Sequence, residues 1–364
     1  MLFSSLTFLY VFLPVTLLVY FLVPQRRFGL GPRNWVLLIA SLIFYAWGGP
    51  GYLAIMVAQI TLAWGFGLAI ERWRSTRAAK PIFIVSICLS LVALLFYKYT
   101  GFFLANLGSL LGVPLPLLRL VLPLGISFYT FQILSYLIDL YRGTIPVQRN
   151  IGTFATYVAL FPQLIAGPIV RYAEIRVALT ERVSTLDDFA AGARRFSVGL
   201  AKKILIANTM GGLVELLRTD QHPSTLSAWL YLIAFALQIY FDFSAYSDMA
   251  VGLGRMFGLK FPENFNYPYI SRSITEFWRR WHMTLSAWFR DYVYFSLGGS
   301  RVRTFRVIIN LLIVWCLTGF WHGAAWNFLF WGGYYAVLLI VEKYLLKPVL
   351  EKLPRWLTHV YALF

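Results

Sequence analysis

Apolar runs recur along this chain, most of them close to the length needed to cross a bilayer, and short loops rich in arginine and lysine separate them. The runs lie at about 5–23, 34–47, 52–70, 82–97, 120–140, 199–217, 226–252, 305–321 and 325–346. A helix rises about 1.5 Å per residue, so about 20 apolar residues cross a hydrocarbon core about 30 Å thick. An all-α polytopic membrane protein is therefore expected. Composition agrees: 59% of the 364 residues are hydrophobic and only 13% are charged, against about 45–50% and about 25% in soluble domains. Residues 1–364 are read as one integral-membrane domain.

The chain carries 32 basic and 15 acidic residues, a net charge of +17. The positive charges form no solvated basic domain, so nucleic acid is not the expected partner; the lipid bilayer is. Arg26, Arg27 and Arg33 follow the first run, and Arg72, Arg74, Arg77 and Lys80 follow the third. Basic loops collect on the cytoplasmic side, which puts the N-terminus outside. Residues 1–23 lack a basic leader and a small-residue cleavage site, and are read as a first span rather than a removed signal. Cys88 and Cys316 sit inside apolar runs without disulfide or metal spacing and are read as small buried hydrophobes. The closing PRWLTHVYALF resembles the start of another hydrophobic segment, so the protein is expected to continue beyond it.

The middle departs from simple hairpins. ATYVALFPQLIAGPIVRY, residues 155–172, is apolar but interrupted by Pro162 and Gly167-Pro168, as in a re-entrant segment packed within protein. Residues 171–195 carry both signs of charge and read as an interfacial helix. A polar and aromatic stretch covers about 258–304.

Of four histidines, His222 and His359 occupy unremarkable positions, whereas His322 stands in LTGFWHGAAWNFLFWGG, far from the basic edge. From Arg306 to His322 is roughly 24 Å of helix. An ionisable group at that depth is a functional candidate; Asn327 or a neighbouring carbonyl is the structural alternative for satisfying it. His282 lies in EFWRRWHMTLSAWFRDYVYFSLGGSR. At helical spacing Trp278, Trp281, His282, Leu285, Trp288, Phe289 and Tyr292 share one face, which predicts a continuous helix with His282 turned inward. Two inward imidazoles suggest one site, where a neutral imidazole takes a proton from an alcohol attacking an acyl carbonyl and the other orients the donor or holds the oxyanion. Metal is not expected, because no third ligand has a suitable spacing. Arg279, Arg280 and Arg290 are candidates for an anionic ligand. Trp278, Trp281, Trp288, Trp321, Asn327 and Asp242 complete the candidate substrate-binding set. Asp242 and Asp248 interrupt an apolar run, where each is read either as a partner to the polar stretch or as part of an internal network.

FPQLIAGPIVRY, YFDFSAYSDMAVGLGRMFGLKFPENFNYPY, FWRRWHMTLSAWFRDYVYFSLGGSR and LTGFWHGAAWNFLFWG together resemble the membrane-bound O-acyltransferase family, most closely its alginate O-acetyltransferase branch. The resemblance covers at least residues 155–335. It implies a bundle of about 10–11 transmembrane and re-entrant helices around a channel, in a bacterial inner membrane. It implies that His322 is the catalytic histidine and that His282 is the family's second polar position. It implies no permanently bound cofactor, but an acetyl-CoA or carrier-protein phosphopantetheine donor on the cytoplasmic side. The acceptor would be an exported polysaccharide, or a secreted, periplasmic acetyltransferase that passes the group on. D-alanyl transfer to teichoic acid and O-acetylation of peptidoglycan use the same fold. A transporter without covalent chemistry is the rival from another class.

Overall fold

A computed structural model of the protein describes residues 1–24, 31–115, 120–220 and 224–363; Arg26, Arg27 and His222 fall outside the described residues. The described residues form helices joined by turns and irregular loops, with no strand among them. The principal helices are α1 (Phe8–Leu22), α2 (Gly31–Ala46), α3 (Pro50–Arg72), α4 (Ala79–Leu111), α5 (Ile126–Arg142), α6 (Leu186–Ala201), α7 (Thr225–Met256), α8 (Ile274–Arg280), α9 (Met283–Phe289), α10 (Thr304–His322) and α11 (Trp326–Leu350). Five of them, α3, α4, α7, α10 and α11, are long and apolar enough to cross a membrane. Val85, Leu89, Val92 and Phe96 on α4 are exposed, as expected where lipid replaces water. Cys88 is exposed on the same helix and Cys316 is half-buried, so neither is the buried hydrophobe that its apolar neighbours implied. An apolar residue in a membrane span need not face the protein.

The described residues group into two compact units, one of residues 1–61 and 148–263 and the other of 62–147 and 264–364. In the first, α6 packs along α7 through glycines. A Cβ on Gly192 would stand 2.6 Å from the Gly252 carbonyl oxygen, so only hydrogen fits there. The helix expected at 199–217 begins earlier, at Leu186, and runs through a π-turn at Lys202–Ala207 to Arg218. Its cations are neutralised from α7 and the segment after it. Asp248 accepts from Arg195 at 2.8 Å and Lys202 at 2.7 Å, Lys203 pairs with Asp242, and Arg195 also meets Glu263. That charge load keeps this helix out of the five. Arg33, read from sequence as a loop cation, is buried at the start of α2, with Nε donating to the Val23 carbonyl at 2.9 Å. The interrupted stretch after Gln148 forms two short helices, Ile151–Ala159 and Phe161–Leu164, broken at Leu160 just before Pro162. The Phe161 amide, left without an intrahelical partner, donates to Ser41 Oγ at 3.0 Å.

In the second unit, α4 runs 14 residues beyond the apolar run read at 82–97. Lys98, the residue after that run, lies within the helix, in a π-turn at Leu95–Tyr99. α5 is almost wholly buried, with left-handed glycines at both ends, Gly125 at φ +70° and Gly143 at φ +80°. α10 and α11 form a hairpin that crosses at Gly319 and Gly332, where a Cβ on Gly319 would fall 3.1 Å from the Gly332 Cα.

The continuous helix expected through Trp278–Tyr292 is broken. α8 ends at Trp281, which is extended (φ −102°, ψ 128°), and His282 takes a left-handed conformation (φ 43°, ψ 53°) before α9 begins. Left-handed backbone costs a non-glycine residue about 1–2 kcal/mol. The segment after Glu263 offsets that cost by taking over the broken helix's hydrogen bonds. The Met283 amide donates to the Asn264 carbonyl at 2.9 Å, and the Arg280 carbonyl accepts from the Asn266 amide, also at 2.9 Å. Helical periodicity describes local preference only; partners 14 to 19 residues upstream decided this break.

Candidate active site

The second unit holds a half-open cavity of about 1020 Å³, and both His282 and His322 line it. Leu311, Val314, Trp315, Thr318 and His322 form one stripe of α10 along its wall. At helical rise the stripe is roughly 16 Å long, with His322 at one end. Arg272, Arg279, Lys343, Lys347 and Arg355 also line the cavity.

His282 is 2% exposed. Its Nδ1 lies 3.1 Å from Asn264 Oδ1, an atom that also faces the Thr284 amide at 3.3 Å and Thr284 Oγ1 at 2.9 Å. A backbone amide only donates, so the Asn264 atom facing it must be the oxygen. Hence His282 donates through Nδ1–H, and Nε2 carries the ring's lone pair. Burial, and secondarily the nearby His322 ring, push the His282 pKa down to about 3, so the ring is neutral.

His322 is the last residue of α10 and is exposed. Trp321 packs beside it at 4.9 Å and Trp331 at 5.3 Å between ring centroids. No hydrogen bond fixes its ring nitrogens among the described residues. Trp278 meets Trp315 at 4.7 Å, Tyr335 at 4.9 Å and Trp331 at 5.8 Å, an aromatic cluster adjoining the His322 ring.

Six of the sequence-derived candidates reach this cavity: His282, His322, Trp278, Arg279, Trp281 and Arg290. Arg279 is exposed and has no ion-pair partner among the described residues. Arg290 pairs with Asp291 at 2.7 Å. Arg280 is held by Glu276 at 2.8 Å and the Asn266 carbonyl at 3.1 Å. Trp288 stacks on Phe131 at 3.9 Å and donates to its carbonyl, a packing position. Trp321 is buried under His282, with ring centroids 6.1 Å apart. Asn327 is exposed, has no bond to His322 and is not in the cavity wall. Asp242 belongs to the first unit, paired with Lys203.

Three contributors escaped the sequence reading. Asn264 was legible only as part of a turn in PENFNYPY. Glu342 is 4% exposed and caps α8, accepting from the Ile274 amide at 2.6 Å and the Thr275 amide at 2.9 Å. Lys98 donates to the Trp321 carbonyl and, at 3.3 Å, to Ser127 Oγ. A lone lysine in FYKYTGFF was its only signal.

Helices suited to crossing a bilayer, with two imidazoles and several cations lining one cavity, define a multi-pass membrane protein with a site among its helices. Residues 147–350 match the profile of the membrane-bound O-acyltransferase family, and the chain belongs to that family. It is 45% identical over 348 residues to the probable alginate O-acetylase of Pseudomonas aeruginosa, covering 94% of this chain and 66% of that protein. It is 36% identical over 372 residues to the peptidoglycan O-acetyltransferase of Helicobacter pylori, covering 94% and 70%. It is 32% identical over 228 residues to the teichoic acid D-alanyltransferase of Bacillus subtilis, covering 59% and 58%. The chain thus spans about two thirds of the length of its alginate-type relatives.

Proposed function

We propose that this protein is an O-acetyltransferase of the bacterial inner membrane. It takes an acetyl group from a cytosolic thioester and delivers it to a hydroxyl of an exported, alginate-like polysaccharide, directly or through a partner acetyltransferase outside. Two imidazoles on one cavity whose wall also carries an unpaired Arg279 support this function most directly. The alginate-type relatives, similar over 94% of the chain, support the acetyl group and the polymer class.

His322 is the general base. As the acceptor hydroxyl oxygen attacks the thioester carbonyl carbon, a His322 ring nitrogen takes the hydroxyl proton. The tetrahedral intermediate then expels the thiolate, which recovers that proton from the imidazolium, leaving an ester and a free thiol. His282 is the orienting residue. With Nδ1–H committed to Asn264, its Nε2 accepts a hydrogen bond and has no proton to offer an oxyanion, so orienting a donor amide or the acceptor hydroxyl suits it better than oxyanion stabilisation. Arg279 meets a phosphate of acetyl-CoA or of carrier-protein phosphopantetheine. The deciding experiment is His322→Ala in a strain whose exported polymer is assayed for ester-linked acetate. Loss of the acetate with normal protein level in the membrane is expected. Acetylation that persists would reject the base, and unimpaired solute flux with no acylation at all would favour a transporter.

The peptidoglycan and teichoic acid relatives favour a second reading, the same transfer onto a cell-wall polymer. Labelled acetate in the peptidoglycan fraction, or labelled D-alanine in teichoic acid, would identify it.

A further inference from the structure

α10 ends at His322, so the carbonyls of Gly319, Phe320, Trp321 and His322 lack intrahelical partners. The Gly323 amide serves the Gly319 carbonyl at 3.4 Å. The next two are served by consecutive side chains of α4: Tyr99 Oη donates to the Phe320 carbonyl at 3.1 Å, and Lys98 Nζ donates to the Trp321 carbonyl. Lys98 also donates to Ser127 Oγ, and its Nζ lies 5.3 Å from the Trp321 ring centroid. No carboxylate pairs with it among the described residues. A lysine ammonium in the middle of a membrane helix is costly. Here its partners are neutral, and it stands where the negative end of the α10 dipole favours a cation. The π-turn at Leu95–Tyr99 lies in α4 at these two residues; such turns occur often at functional sites.

We propose that Lys98 is a positioning residue for His322. With Tyr99 as its auxiliary, it clamps the last turn of α10 by the carbonyl immediately before the histidine and thereby sets where the imidazole points. Lys98 does not line the large cavity, so it acts on His322 and not on the donor. This rests on the reading of His322 as the base.

The test compares Lys98→Met, Lys98→Arg and Tyr99→Phe in the full chain, in membranes supplied with labelled acetyl-CoA as probe. A misplacement near 1 Å costs on the order of 10²-fold in rate. Lys98→Met is therefore expected to lose about that factor in kcat with KM for the donor unchanged, Tyr99→Phe to lose less, and Lys98→Arg, which keeps a cationic donor, to recover most of the rate. A second measurement needs no turnover: carbethoxylation of His322 by diethyl pyrocarbonate, followed by peptide mass spectrometry. Its rate should change in Lys98→Met and return in Lys98→Arg. Unchanged kcat and carbethoxylation in Lys98→Met, a loss confined to KM, or an arginine no better than methionine would overturn the clamp. If Lys98→Met is silent while His322→Ala is inactive, the clamp alone fails; if His322→Ala is itself active, the base assignment fails.

Discussion

Replacing Asn264 with leucine tests how His282 is held. Asn264 is 1% exposed, and its Oδ1 faces His282 Nδ1, the Thr284 amide and Thr284 Oγ1 at 3.1, 3.3 and 2.9 Å. Leucine keeps the approximate volume and removes the acceptor. The Thr284 hydroxyl can rotate to another acceptor, but the His282 Nδ1–H and the Thr284 amide both lose Oδ1. At about 0.5–1.5 kcal/mol for each hydrogen bond lost, the loss is about 1–3 kcal/mol. The left-handed backbone at His282 loses support as well, so the ring should reorient. Thermal denaturation of the detergent-solubilised protein, followed by loss of the monodisperse chromatographic peak, should show a midpoint several degrees lower, with acetyl transfer falling alongside. Asn264→Asp is the informative partner. Asn264 Nδ2 has no hydrogen-bond partner among the described residues, so aspartate keeps all three acceptor contacts, and a proton taken up by His282 offsets part of the cost of its buried charge. Its charge favours the imidazolium form of His282, however, and activity should drop without unfolding. A leucine variant with wild-type stability and activity would refute the claim that Asn264 fixes the tautomer and orientation of His282.

Acid should destabilise the protein in a defined window. The His282 imidazole is held at about 3 against an ordinary 6.5, first by burial. The unfolded chain therefore binds a proton there that the folded chain refuses: this contribution is whole above about pH 6.5 and is lost as pH falls towards 3. His282→Gln should flatten that part of the pH–stability curve. Gly319→Ala forces a Cβ against the Phe328 carbonyl and within 3.1 Å of the Gly332 Cα. Separating α10 from α11 should cost about 1–3 kcal/mol and displace His322 three residues on, seen as a lower melting midpoint with reduced kcat; a fully active variant would show that the crossing does not position the histidine. Arg279→Ala should raise KM for the donor about tenfold or more, whereas Arg280→Ala, already held by Glu276, should leave it nearly unchanged; equal effects would reject the assignment of Arg279 to a phosphate.

Sequence alone determined that this chain is helical and crosses a membrane, because the length of an apolar run and the charge of its loops act locally and need no partner. It also singled out His282 and His322, since ionisable groups among aromatics are costly wherever the chain goes. Arg279 and Arg290, chosen beside them, do reach the cavity. What it could not supply were relations between distant residues. The break at Trp281–His282 depends on Asn264 and Asn266, which take up the hydrogen bonds of the interrupted helix. Lys98, just past the run read at 82–97, lies inside a helix, and carbonyls more than 220 residues later receive it and Tyr99. The arginines look alike in sequence; only the fold leaves Arg279 without an ion pair while giving Arg280 to Glu276. Periodicity carries the preference of one helix for one environment. Which donor meets which acceptor is a property of the packed chain, and only tertiary structure decides it.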